Sequence, residues 1–483
     1  MNILFASSEV APFAKTGGLA DVSYSFPKAL KRLGDEISVI TPLYKTTVET
    51  GLNLTKIKEL RVPHLNELVN VEVFKATDFD DFNTLFINYA PYFDRDCLYG
   101  TEKNEFPDNH LRYMLFSRSI LEYIQSIDRP PEIIHLNDWH TGLVKPYLDV
   151  YYKDKLSKVK TVFTIHNLGY QGRDSKDMIK TIGLPDTYLS EEMLGEDSEL
   201  ATIKGGFMCD AVNTVSPTYA KEITTPEFGF DLDDDLRRIE YKLTGILNGI
   251  DYELWDPNTD KKIEANYNKD NFERKHTVCK LQLQKGLGLE VNEDSMLCGI
   301  VSRLASQKGI DILTEMLEEK VPENTQFVIL GTGEETYHKS LPDIALKNKD
   351  RISVVLGFDS TLARRIYAGC DVFLLPSHYE PCGLSQMIAM AYGTVPIARK
   401  TGGLADTIID TNNQSDIISN GSTGFLFDDY SAISFRRAIE RAQALFLDKK
   451  IWNNLISNCF NQNFSWDSSA KKYLELYNKI KNQ

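Results

Sequence analysis

Short apolar runs separated by polar, glycine-bearing turns set the rhythm of this chain. In the first half they fall at residues 3–6, 37–40, 133–135 and 161–165, with strand-like alternation at 71–74 and 84–87. In the second half they fall at 298–301, 327–330, 352–356, 372–375 and 395–398. Runs this short, rich in β-branched residues, predict buried strands. Between them, residues 22–33, 109–120 and 310–317 carry helical spacing, the first despite Pro27. Strands alternating with helices predict an α/β fold with parallel sheets and chemistry at the strands' carboxyl ends. After Phe464-Ser465-Trp466-Asp467, the apolar positions Tyr473, Leu476, Tyr477 and Ile480 make one helical stripe. That stripe must bury against something, and the first domain is the expected partner.

The rhythm restarts past a turn at Asn248-Gly249 and a polar stretch at 258–270. The expected division is 1–247, 248–460 and a terminal helix at 461–483. A repeated word supports two similar domains. Lys15-Thr16-Gly17-Gly18-Leu19-Ala20-Asp21 returns as Lys400-Thr401-Gly402-Gly403-Leu404-Ala405-Asp406, each time after an apolar run. A strand, a Gly-Gly turn and a helix start make an anion site, because glycine admits close approach and the first N–H groups point outward. The bland alternative is two helix starts sharing a turn sequence.

Composition narrows the class. At 483 residues the chain is long enough for two or three domains. Its net charge of −15 argues against nucleic acid, whose phosphates need a basic face. The seven cysteines are scattered, with no zinc-ligand spacing, and read as reduced thiols in a cytoplasmic protein. No leader segment and no membrane-length apolar run is visible.

Candidate chemistry sits where strands end. Asp138 and His166 follow two first-half strands, and His166 lies in a polar loop with Asn167, Gly169 and Gly172. His135 and His140 are as readily structural as functional, and Trp139 reads as core. Arg303 and Lys308 precede a helix, which makes sense if an anion lies between them and the helix start. Glu380 follows the strand at 372–375 in Pro376-Ser377-His378-Tyr379-Glu380-Pro381-Cys382-Gly383-Leu384 and is the best catalytic candidate by position. Gly331-Thr332-Gly333-Glu334 alone is a weak nucleotide signal. Asp231, Asp233, Asp234 and Asp235 beside Arg237 and Arg238 read as a charge-balanced loop rather than a metal site.

In order, these words resemble the bacterial glycogen synthase and plant starch synthase family over nearly the whole chain. The likeness rests on both K-T-G-G-L-A-D copies, D-W-H at 138–140, H-N-x-x-Y-Q-G at 166–172 and N-G-I-D at 248–251. R-x-x-x-Q-K-G at 303–309 and E-P-C-G-L at 380–384 complete the set. The resemblance implies a GT-B fold, two Rossmann-like domains facing a deep cleft, with the last helix crossing back to the first domain. It implies retaining transfer of glucose from a nucleoside-diphosphate glucose to the 4-OH of an α-1,4-glucan, with no cofactor and no metal. The first domain would serve the glucan acceptor and the second the donor.

Glu380, His166, Arg303, Lys308 and Asp138 would be catalytic. Lys15, Gly18, Asn248, Phe358, Cys382, Gly383, Thr401, Gly402 and Gly403 would join Arg303 and Lys308 on the donor. Asp21, Asn167 and Tyr99 would meet the acceptor. Related retaining enzymes place a ribose-binding glutamate eight residues after the first, where this chain has Ile388. ADP-glucose is the expected donor, from the resemblance and from Phe358, whose ring can stack on a purine unless it closes the core. A nucleotide-sugar epimerase and a non-enzymatic sugar-binding protein are the rival classes.

Overall fold

Apolar segments pair into two sheets, one in each of two units: Met1–Gly249 with Trp466–Gln483, and Ile250–Ser465. The computed structural model describes residues 1–101, 104–175, 177–186, 193–194 and 199–482. In the first unit the strands are β1 (Asn2–Ala6), β2 (Glu36–Pro42), β3 (Leu54–His64), β4 (Glu67–Ala76), β5 (Asn83–Asn88), β6 (Ile133–Asn137), β7 (Lys160–Ile165), the short pair β8 (Arg173–Asp174) and β9 (Leu200–Ala201), β10 (Ala211–Thr214) and β11 (Leu243–Gly245). Nine of them form one sheet in the order β11-β10-β7-β6-β1-β2-β5-β4-β3.

The sheet is not wholly parallel. β3 pairs antiparallel with β4, and β4 with β5. The connection from β3 to β4 is too short for the crossover that parallel strands need, and Leu65 turns it at φ 55°. β3 escapes a reading by apolar runs because it is an edge strand with Lys56, Lys58, Glu59 and Arg61 along it and Pro63 near its end.

In the second unit, β12 (Met296–Val301), β13 (Thr325–Gly331), β14 (Ile352–Leu356), β15 (Val372–Leu375), β16 (Val395–Arg399) and β17 (Phe425–Phe427) form a six-stranded sheet. Its order is β14-β13-β12-β15-β16-β17, and its ladders are parallel. Each unit is therefore doubly wound. The order reverses around β1, flanked by β2 and β6, and around β12, flanked by β13 and β15. Ligands of such folds bind beyond the carboxyl ends at this switch point.

The terminal helix Trp466–Lys481 packs on the first unit. Its buried residues Trp466, Ala470, Tyr473, Leu476, Tyr477 and Ile480 join a cluster with Phe5, Phe26 and Val162. His135, 1% exposed, ties it down: its Nδ1 is 2.5 Å from Tyr477 Oη and its Nε2 is 2.6 Å from Thr164 Oγ1. Burial pushes this imidazole down to about 3, and its role is structural. Among the described residues, no helix is long and apolar enough to cross a membrane.

Candidate active site

The switch point of the second sheet gathers a charged cluster. Glu380, beyond β15, is 7% exposed, and its Oε2 accepts from Lys308 Nζ at 2.6 Å and Ser377 Oγ at 3.1 Å. Lys308 arrives from the loop after β12, which Gly309 closes at φ +72°. A Cβ there would stand 2.0 Å from Pro376 O, so glycine lets this loop lie against the β15 loop. His378 N–H donates to Gln307 O at 2.9 Å, adding a second tie between the loops. Arg303 Nη2 donates to Gln307 Oε1 at 3.0 Å. Sequence reading missed Ser377 and Gln307, although both lie inside the motifs it used.

The second copy of the repeated word starts the helix Gly402–Thr407, with buried Thr401 as its N-cap. Here the glycines serve packing first. Gly402 has φ +43°, and a Cβ on it would meet Glu380 O at 2.0 Å; one on Gly403 would meet Cys382 O at the same 2.0 Å. Gly403 N–H donates to Glu380 O at 3.1 Å. The turn thus braces the Glu380–Cys382 backbone, with Cys382 buried and Gly383 left-handed at φ +70°. Ile388 is buried in the helix Ser385–Ala391. Phe358, past the end of β14, is 89% exposed and closes no core.

In the first unit, Asp138 follows β6 with φ 53°, an uncommon value for a residue with a side chain. It is 7% exposed, and its Oδ1 accepts the His166 N–H at 2.8 Å. Burial raises its carboxyl to about 7, partly offset by the backbone N–H groups of His166 and Asn167, with Glu9 adding to the rise. His166, half-buried beyond β7, is pushed down to about 3 by desolvation and is neutral. Asn137 Nδ2 donates to Ala6 O at 2.9 Å, which turns Asn137 Oδ1 toward His166 Nε2, 2.8 Å away. Nε2 therefore carries the proton in this network, and Nδ1 is the ring's acceptor. With Nε2–H engaged by Asn137, the ring can take a hydrogen bond at Nδ1 from a hydroxyl but has no second N–H to give.

The first copy of the word caps the helix Gly18–Arg32, with Gly17 as N-cap. That helix begins before the apolar spacing at residue 22, so Gly18 lies inside it. Lys15 Nζ is 2.7 Å from Asp21 Oδ1, an exposed pair of small worth. Glu9, absent from the candidates, accepts from Thr16 N–H at 2.6 Å, Thr16 Oγ1 at 2.6 Å, Gly17 N–H at 3.1 Å and Tyr99 Oη at 2.8 Å. Tyr99, expected at the acceptor, commits its hydroxyl to Glu9 and to Ser8 Oγ, 2.8 Å away. Asn167 Oδ1 accepts from Gly169 N–H at 2.9 Å. Asn248 is buried, and its Oδ1 has no hydrogen-bond partner among the described residues.

The remaining sequence candidates are structural. Asp233–Arg238 is a short helix rather than a loop, and its acids pair with Arg237, Arg238 and Lys204. Trp139 stacks on His140 at 4.1 Å within the core. Gly333 backs the β12 loop, since a Cβ on it would meet Leu304 O at 2.2 Å.

Two doubly wound units with polar clusters at their switch points define a GT-B glycosyltransferase. The family description "Starch synthase catalytic domain" matches residues 2–238, and "Glycosyl transferases group 1" matches 288–445. The chain is 43% identical to a glycogen synthase of Geotalea uraniireducens over 99% of its length and 98% of the relative's. It is 40% identical to one of Thermotoga maritima, over 99% of each chain. The catalytic domain of starch synthase IV from Arabidopsis thaliana, solved with ADP and acarbose, superposes with a TM-score of 0.91 at 33% identity, covering 100% of this chain and 99% of that one. Sucrose-phosphate synthase from Thermosynechococcus elongatus shares the fold, with a TM-score of 0.61 at 19% identity, covering 99% and 98% of the two chains. The protein belongs to the glycogen and starch synthase family.

Proposed function

We propose that the protein extends an α-1,4-glucan in the cytoplasm, moving glucose from ADP-glucose to the non-reducing 4-OH with retention. The observation that carries this reading is the Lys308–Glu380–Ser377 cluster at the second switch point, with Arg303 on the same loop as Lys308. As the nucleoside diphosphate leaves, charge builds on its oxygens. Arg303 and Lys308 stabilise that charge, and the Thr401–Gly403 turn and Lys15 with Gly18 add to it. One such contact is typically worth ~3–4 kcal/mol in the transition state. Glu380 holds the glucosyl hydroxyls and offsets positive charge at the ring.

Asp138 and Asp21 accept from sugar hydroxyls, His166 Nδ1 accepts from another, and Asn167 lies on the acceptor side. Asn248, whose Oδ1 has no partner among the described residues, offers an acceptor to the donor. No residue is assigned as a nucleophile; the departing phosphate oxygen takes the acceptor proton on the same face. The ADP of the starch synthase IV structure supports the adenine base, and exposed Phe358 offers it a ring.

Incubation with ADP-glucose and a maltooligosaccharide primer tests the reading. Ladder growth with α-configured new linkages, seen by proton NMR at the anomeric position, is the expected result. β-Linkages, or free glucose without elongation, would contradict it.

A further inference from the structure

The first copy of the repeated word already holds an acid where an anion was expected. Glu9, 4% exposed, lies just beyond β1 at the switch point of the first sheet. Its carboxylate takes the Thr16 and Gly17 N–H groups at 2.6 and 3.1 Å and the Thr16 hydroxyl at 2.6 Å. These two N–H groups belong to the turn that leads into the helix Gly18–Arg32, Gly17 being its N-cap. The carboxylate thus fixes the turn itself, one residue short of the first-turn N–H groups that an anion takes at a helix start.

The fourth bond, from Tyr99 Oη at 2.8 Å, is itself braced. Tyr99 O accepts from Asn109 Nδ2 at 2.8 Å. Arg112, buried without a carboxylate among its hydrogen-bond partners, holds the loop before Tyr99 through Tyr92 O at 2.7 Å and Leu98 O at 2.8 Å. The residue equally far before Lys400 is Thr394, whose hydroxyl donates to the carbonyls of Tyr367 and Cys370.

We infer that Glu9 is a positioning residue for the donor: it holds the turn before the helix by fixing Thr16 and Gly17, and so sets Lys15 and Gly18 as the groups of that turn that meet phosphate. The two copies of the word are then not equivalent, the first being shaped by its own carboxylate and the second by the Glu380–Cys382 backbone. This inference rests on the donor role proposed for Lys15.

Steady-state kinetics of the full chain test it, with Glu9→Gln, Tyr99→Phe, the double variant, and Lys15→Ala as reference. Glutamine keeps the shape of Glu9 but removes its charge, and its NH2 must take the Oε1 side, where the Thr16 and Tyr99 hydroxyls have to turn from donors to acceptors. Glu9→Gln raises KM for ADP-glucose about tenfold, the equivalent of one hydrogen bond at a charged group, and leaves KM for glycogen within about twofold. The double variant matches Glu9→Gln alone, because Tyr99 acts through Glu9. A folded Glu9→Gln with unchanged donor KM, while Lys15→Ala raises it, overturns the inference and leaves the donor reading standing. An unchanged donor KM in Lys15→Ala overturns both. Equal loss of kcat in Glu9→Gln at constant KM for both substrates makes Glu9 merely structural and also overturns the inference. If Glu9→Gln does not fold, Tyr99→Phe, which loses only a hydroxyl, decides by the same KM comparison: a raised donor KM supports the inference and an unchanged one overturns it.

Discussion

Lys308 Nζ lies 2.6 Å from Glu380 Oε2, joining the loop after β12 to the loop after β15. The Lys308 and Glu380 side chains are 21% and 9% exposed, so the pair is only partly screened by water. In the proposed reaction each partner has a separate target: Lys308 the departing phosphate, Glu380 the sugar. Lys308→Ala is expected to cut kcat/KM by ~100- to 1,000-fold, the cost of losing one transition-state donor. Glu380→Ala loses most turnover while its affinity for ADP, read by isothermal titration, stays within about threefold of wild type. Near-wild-type turnover in Glu380→Ala removes that residue from the site.

Phe358 separates binding from folding. Being 89% exposed, it contributes little to the core, so Phe358→Ala leaves the thermal midpoint unchanged. If the ring stacks on adenine, the variant loses ~1–3 kcal/mol of ADP affinity. Unaltered affinity by titration would take Phe358 out of the donor site.

Asp138 gives the enzyme a pH signature. Burial lifts its carboxyl from 3.8 to about 7. Between these values the folded chain keeps a proton that the unfolded chain releases, so this group's contribution to stability falls as pH rises and levels off above about 7. A rise of that size is equivalent to at most ~4 kcal/mol of folding free energy. Asp138→Asn removes this slope, so its midpoint gains on wild type from pH 5 to pH 8. Parallel midpoint curves for the two proteins would show that Asp138 is ionised throughout. In turnover, kcat/KM of the wild type rises toward a plateau above about 7, because the ionised carboxylate is the stronger acceptor for a sugar hydroxyl.

The positions of the candidate residues beyond strand ends were legible because strands announce themselves as apolar runs. Glu380, Lys308, Asp138 and His166 all follow such runs. Most of what escaped has a common cause. Glu9 and Asn137 act through contacts with residues distant in sequence or through backbone N–H groups, and no local spacing encodes a partner that only the folded loop brings near; Ser377 is local, three residues before Glu380, but a lone serine beside a strand end carries no signal of its own. The His166 proton was invisible for the same reason, since the Asn137 amide that sets it is oriented by Ala6 O. The edge strand β3 hid because one charged, half-exposed strand reads as polar loop.

The donor decides the central claim most directly. Purified protein is incubated with glycogen and with labelled ADP-glucose or UDP-glucose at equal concentration, and glucose incorporated into glucan is counted. Incorporation from ADP-glucose should exceed that from UDP-glucose by at least about tenfold, a difference of ~1.4 kcal/mol in the specificity of one site. Equal or greater incorporation from UDP-glucose would contradict the donor assignment, and no incorporation from either by folded protein would contradict the synthase activity itself.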